Sequence, residues 1–379
     1  MPNIASIMSL FAQARKSWAR RSRDVSRDPN LSHTRGAMVE AALVTLDDIL
    51  AARQVIAGRV HRTPLLSSET AARFVAEAHG VKLGDGRVFL KAEHLQKTGS
   101  FKARGMTNRI ASLDADQRAR GAITMSAGNA GQAYAWAGRE AGVPVTVVMA
   151  VGANPTKVAA CRGYGAEVVL EGEHVGEAFQ ALERIRAERG LTFVHPFEDP
   201  AVIAGHGSVG LEILDDLAEV DVVVIGVGGG GLISGTAAAL KERRPGIRVY
   251  GVEPVDAAAM SLAFEAGAPV TIQPKTVADG LAAPFAGDLT LAMCRRYLDG
   301  LVLLDDPTIL AGVRFAIERM KQVLEPAGAA ALAAVLFGRI PISRGERVAV
   351  VASGGNVDVG RLADLLVAAA PLPARVDAG

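Results

Sequence analysis

Cysteine is nearly missing from this chain. Cys161 and Cys294 are the two it has, too few for a disulfide framework, and no CxxC metal knuckle is present. A reducing compartment, the cytoplasm, is therefore expected. Aromatic residues make up 4%, so Ala, Val, Leu and Ile must fill the core. No charge of one sign is in excess: 41 Lys and Arg face 40 Asp and Glu, which argues against a nucleic-acid binder or a polybasic membrane-surface protein. A convincing membrane span is also lacking. The longest uncharged run, residues 222–240, carries six glycines and reads as a strand, a glycine loop and a helix start. What the chain does have is 379 residues, half of them hydrophobic, and 41 glycines. That is enough for one large or two moderate domains with many tight turns or close backbone approaches.

The first forty residues differ in kind. Arg15, Lys16, Arg20, Arg21, Arg23, Arg27 and Arg35 crowd a stretch whose acids before Glu40 are Asp24 and Asp28. Positive charge follows the short apolar stretch instead of preceding it, which argues against a secretory signal. An organelle transit peptide is one reading. A disordered extension over 1–43, or a true start at Met38, is the reading preferred here.

From residue 46 onward, short β-branched runs alternate with Ala-rich stretches. Strands are expected at 89–91, 122–125, 145–149, 167–170, 220–225, 249–252 and 348–351, with helices such as 130–141, 178–188 and 311–323 between them. Strands apolar on both faces and interleaved with helices imply α/β architecture with parallel sheets covered on both sides.

Four segments carry chemistry. Gly226-Val-Gly-Gly-Gly-Gly231 follows a strand and opens a helix, so backbone N–H groups and a helix N-terminus can converge on a phosphate. Gly226, Gly228 and Gly231 also satisfy the dinucleotide pattern, and Glu253 ends the next strand where such a fold places its ribose acid. A dinucleotide, another phosphate and a structural turn all remain open on this segment alone. Lys102 follows Thr98-Gly-Ser-Phe101, a small-residue turn with an aromatic beside the amine. Partial desolvation there would lower its pKa and permit Schiff-base chemistry. Ser126-Ala-Gly-Asn-Ala-Gly-Gln132 opens a helix with hydroxyl, amide and free N–H groups suited to a carboxylate. Ser353, in Val351-Ala-Ser-Gly-Gly-Asn356, is placed to bond a buried heteroatom.

Together, in this order and spacing, the segments resemble the fold type II pyridoxal-phosphate enzymes, the threonine/serine dehydratase and serine racemase group. Arg62-Thr-Pro-Leu, Gly205-His-Gly-Ser-Val-Gly-Leu-Glu212, Ala278-Asp-Gly-Leu and Glu325-Pro-Ala-Gly-Ala-Ala extend the resemblance from about Val44 to Leu366. It implies two interlocked open-sheet α/β domains of the tryptophan synthase β-like kind, with pyridoxal 5'-phosphate in the cleft between them. Residues 44–120 and 200–368 would form the large domain and 121–199 a small mobile one, with 369–379 as a tail. By the same resemblance Lys102 holds the cofactor and acts as base on Cα, and Phe101 packs beside the ring. Asn129 bonds its 3'-oxygen, Gly228, Gly229, Gly230, Gly231 and Leu232 hold the phosphate, and Ser353 faces the ring nitrogen. Ser126, Ala127, Gly128, Asn129 and Ala130 take the substrate carboxylate.

A neutral serine opposite the ring nitrogen leaves it unprotonated and a weaker electron sink, which favours loss of a β-hydroxyl over transamination. The expected activity is dehydration of L-threonine first and L-serine second to a 2-oxo acid and ammonia. The alternatives are a dehydratase for 3-hydroxyaspartate, phenylserine or a hydroxyectoine-pathway substrate. Less favoured are a threonine synthase-like replacement enzyme, a dinucleotide-binding oxidoreductase and a silent ligand sensor. Departures from the pattern matter. Ala127 stands where the racemases carry a second serine, Ala130 where many relatives carry His, and His206 where Gln is more usual. In metal-binding members an acid pair holds a divalent cation, but here Glu253 has Ala259 in its partner's place and Asp256 reads as solvated, so no metal is assigned. His94, His174 and His195 show no ligand spacing and read as surface or capping residues. Glu325 reads as a helix-dipole partner. A homodimer or homotetramer, no amino-acid feedback domain and no inhibition by isoleucine complete the expectations.

Overall fold

The alternation of β-branched runs and Ala-rich stretches folds into two sheets covered by helices in the computed structural model, which describes residues 43–368. Nearly all of the expected N-terminal extension and the whole tail at 369–379 lie outside the described residues. In chain order the strands are β1 (Leu65–Ser68), β2 (Val88–Lys91), β3 (Ala122–Met125), β4 (Val145–Met149) and β5 (Glu167–Leu170). They continue as β6 (Thr192–Phe193), β7 (Val222–Gly226), β8 (Arg248–Pro254), β9 (Gly300–Leu304) and β10 (Val348–Val351). The six-stranded sheet runs β1-β2-β10-β7-β8-β9, and the four-stranded sheet β5-β4-β3-β6. Every pairing is parallel except β1 with β2. The two sheets share no strand.

β7 and β10, Val-rich and buried at every position, form the middle of the larger sheet. Against them lies the helix Pro326–Leu336, in which all 11 residues are buried. Ala supplies six of its 11 residues, and such small side chains allow a close approach to the sheet in a core poor in aromatics. All seven expected strands are present. β1, β6 and β9 are additional, and the expected helix 311–323 is corrected. An α-helix occupies Asp306–Phe315, a π-turn follows at Ala316–Met320, and Lys321 with φ +60° ends it.

A buried charge cluster pins the helix Lys102–Ala111 to the larger sheet. The Arg104 guanidinium donates to Glu93 at 2.8 Å and to Glu212 at 2.7 Å, and the Lys91 amine donates to Glu212 at 2.6 Å. Two cations and two carboxylates cancel, which is what makes their burial tolerable. Cys161 and Cys294 are both free and buried. No helix among the described residues is long and apolar enough to cross a membrane.

Candidate active site

Lys102 is the first residue of its helix, delivered by a turn in which Thr98 has φ +60°. Ser100 bridges to Gly354, and Phe101 donates its N–H to Ser353 O at 3.1 Å. The Lys102 and Ser353 segments are therefore joined by main chain. The Lys102 amine donates to Pro196 O at 2.9 Å and sits 5.0 Å from the centre of the Phe101 ring. Its side chain keeps some surface in the cleft, but protein atoms surround the amine. Burial lowers the Lys102 pKa to about 8, so roughly a tenth of the amine is free base at pH 7, far more than for an ordinary lysine.

The glycine turn leaves β7 at Gly226. Gly230 takes φ +90°, and a Cβ on Gly229 would lie 2.4 Å from the Phe197 ring, so neither position accepts a side chain without distortion. Among the described residues, no acceptor takes the N–H groups of Gly228, Gly229, Gly230 or Gly231. Leu232 is buried in the first turn of the helix Gly231–Arg243. Unpaired N–H groups at a helix start are the requirement for an anion. Glu253, which kept the dinucleotide reading open, is committed elsewhere. Its carboxylate accepts the N–H of Met260 at 2.7 Å and of Ser261 at 2.9 Å, and also the Ser261 hydroxyl. With both oxygens so engaged, it is not free to act as a ribose acid. Among the described residues, no group of three or more His, Cys, Asp or Glu is placed to hold a metal.

β3 and β6 are parallel neighbours, so residues 126–129 and 195–198 emerge at the same sheet edge. Gly128 N–H donates to Ser126 Oγ at 3.2 Å. Ala127 is exposed and Ala130 is buried. Asn129 Nδ2 donates to Glu325 Oε1 at 2.7 Å, and Asn356 Nδ2 donates to Asn129 Oδ1 at 2.9 Å. Burial, then the negative charge of Asp279, pushes the Glu325 carboxyl up to about 7. Ser353 Oγ donates weakly to Ala327 O at 3.4 Å.

All the residues expected at the site belong to these converging segments, and the structure adds others. Glu325, read from sequence as a helix-dipole partner, makes no capping bond of its own and bonds Asn129 instead. His195, read as a surface or capping residue, is half-buried near the Lys102 charge. Phe197 packs on the glycine turn. His206 accepts the Gly105 N–H at 3.2 Å and meets the Phe101 ring edge-on at 4.7 Å. None of these contacts has a local sequence signal, because the partners lie far apart in the chain.

The set fits a phosphorylated carbonyl cofactor. The Lys102 amine, whose bonded partner is a carbonyl, is free to condense with an aldehyde, and the loop it bonds packs Phe197 against a turn of unpaired N–H groups suited to a phosphate. Comparison with known proteins agrees. Residues 56–354 match the family model described as pyridoxal-phosphate dependent enzyme. The L-threonine ammonia-lyase of Thermotoga maritima is 43% identical over 318 residues, 84% of this chain and 77% of that protein. The catabolic L-threonine dehydratase TdcB of Escherichia coli K12 is 38% identical, covering 85% of this chain and 96% of its own length. Among solved structures, maize serine racemase superposes with a TM-score of 0.79 at 34% identity, over 86% of this chain and 97% of that one. The processed form of threonine deaminase isoform 2 from Solanum lycopersicum gives 0.76 at 32% identity, over 90% and 89%. The chain thus belongs to the family of pyridoxal-phosphate dependent enzymes.

Proposed function

We propose that this enzyme is an ammonia-lyase that converts L-threonine, and L-serine second, to 2-oxobutyrate or pyruvate and ammonia. One observation carries the reading: the low-pKa amine of Lys102 bonds the Pro196 carbonyl, on the loop that leaves the sheet next to Ser126–Asn129 and whose Phe197 packs against the anion-ready glycine turn. The relatives named as threonine ammonia-lyase and threonine dehydratase support the substrate. Pyridoxal phosphate, when bound, supplies the electron sink that acidifies the substrate's Cα–H.

The chain's own groups do the rest. Lys102 would hold the cofactor and then take the Cα proton, its depressed pKa keeping a free base available. The N–H groups of Gly228, Gly229, Gly230, Gly231 and Leu232 would hold the phosphate. Phe101 would pack beside the ring and Asn129 would bond its 3'-oxygen, with Glu325 behind the Asn129 amide. Ser353, a neutral hydroxyl, would face the ring nitrogen and leave it unprotonated. Ser126, Ala127, Gly128, Asn129 and Ala130 would receive the substrate carboxylate. Ala127 offers no hydroxyl as a second proton carrier, which supports elimination over racemisation. Residues 121–199, which contain the whole smaller sheet, would close as a unit on 44–120 and 200–368 and exclude water. The two free thiols suit a cytoplasmic setting.

The test is product analysis with the reconstituted enzyme. L-threonine should give 2-oxobutyrate with no D-threonine or D-allo-threonine, and Lys102→Ala should reduce turnover by at least ~1000-fold. Racemised substrate as the main product would overturn the reading.

A further inference from the structure

The roles above leave His195 unused, although the next residue's carbonyl accepts the Lys102 amine and the Lys102 charge acts on its ring. Two bonds set its place. Thr124 Oγ1 donates to Val194 O at 2.8 Å, and the Tyr134 hydroxyl, from the helix Asn129–Ala141, donates to His195 O at 2.9 Å. The next carbonyl, that of Pro196, receives the Lys102 amine. Edge-on contacts with Phe193, Phe197 and Phe285, at centroid distances of 5.8, 4.6 and 6.4 Å, fix the ring's orientation.

Hydrogen bonding also fixes its tautomer. Nδ1 accepts N–H groups from Phe197 at 3.2 Å and Glu198 at 2.8 Å. A nitrogen that accepts cannot carry the proton, so the neutral ring carries it on Nε2. Burial first, and the Lys102 charge second, hold the His195 pKa near about 3, and the ring is a neutral donor throughout the working range. Among the described residues Nε2 has no acceptor. Unlike His206 Nε2, it is not sealed from solvent, and the residue is half-buried.

A β-hydroxy amino acid brings three polar groups to this cleft. Its amine goes to the cofactor held by Lys102, and its carboxylate to the helix start at Asn129. Its β-oxygen still needs a donor, and that need grows as the C–O bond breaks and negative charge gathers on oxygen. We propose that His195 is a specificity-determining residue whose Nε2–H donates a hydrogen bond to the substrate's β-oxygen. The inference rests on the β-elimination reading above. The ring keeps its proton, and no transfer from His195 is involved.

Two substitutions separate the ring's two nitrogens. His195→Asn retains an acceptor near the Nδ1 position, preserving the turn, but removes Nε2–H. His195→Gln returns an N–H near the Nε2 position. With cofactor-loaded enzyme, His195→Asn should lower kcat/KM for L-threonine and L-serine roughly 10- to 100-fold. It should leave β-chloro-L-alanine, whose chloride needs no such donor, within about threefold. His195→Gln should recover part of the loss. In spectral titrations the His195→Asn variant should bind L-serine more weakly while binding L-alanine, which lacks the oxygen, as wild type does. Equal losses on hydroxyl and chloride substrates, or no loss on either, would overturn the proposal. Wild-type enzyme inert toward threonine and serine would instead sink the lyase reading, and the serine–alanine comparison would still decide the role of His195.

Discussion

Glu325 shows at the scale of one residue how the cleft stores electrostatic free energy. In the fold its carboxyl is buried and titrates near about 7, against 4.5 for a free side chain. A raised carboxyl pKa means that the folded state holds its proton more tightly than the unfolded chain. Its contribution to stability is full below about pH 4.5 and is lost as pH rises through about 7. Glu325→Gln should remove that slope: wild-type apoprotein should lose on the order of 3 kcal/mol relative to the variant between those limits, read from urea unfolding at several pH values. Parallel pH profiles would show that the carboxyl is not perturbed. This residue also marks a limit of legibility. Lys102 and the glycine turn are readable because each combines a reactive group with local backbone geometry, whereas Glu325 acquires its role from Asn129, 196 residues away. His195 escapes a reading of the sequence for the same reason, since Pro196 and Lys102 meet across 94 residues.

At the scale of elements, the central strands are legible and, β5 apart, the edges are not. β4, β7 and β10, apolar but for Thr146, are buried at every position because both faces are covered. β6 has two residues, too few for any periodicity, yet it places the 195–198 loop. β9 lies at the sheet edge and is mostly half-buried, and β1 is half serine. The π-turn at Ala316–Met320 breaks a stretch whose composition suits one continuous helix. The buried cluster of Lys91, Glu93, Arg104 and Glu212 is equally hidden, since no local pattern distinguishes a buried ion from a solvated one. Its effect on the helix that carries Lys102 is testable. Arg104→Ala leaves Glu93 and much of Glu212 uncompensated and should destabilise the protein by about 3–5 kcal/mol in equilibrium unfolding. A change under about 1 kcal/mol would mean that water or a shifted lysine replaces the guanidinium.

Across the whole molecule, a charged clasp joins the two sheets' surroundings. Lys157, on the helix Pro155–Gly163 beside the smaller sheet, donates to Asp279 Oδ2 at 2.6 Å. Arg361, on the helix Val359–Ala368, reaches the same oxygen at 3.1 Å. Burial alone would raise the Asp279 pKa, but the two cations outweigh it and hold the carboxyl below its usual range. The clasp is partly exposed, so its effect is modest. Lys157→Ala should raise KM for the amino acid about 2- to 5-fold with kcat nearly unchanged, if it favours the closed cleft. A fall in kcat at constant KM would assign Lys157 to the chemistry instead.

The central claim is that Lys102 binds pyridoxal phosphate and starts β-elimination from L-threonine. A visible absorption spectrum of the reconstituted protein, recorded before and after L-threonine is added and paired with a 2-oxobutyrate assay, tests it most directly. A visible cofactor band that is missing in Lys102→Ala, and that changes on threonine addition as 2-oxobutyrate appears, is the predicted result. A protein that stays colourless after incubation with pyridoxal phosphate, or a normal band with no oxo acid released, would contradict it.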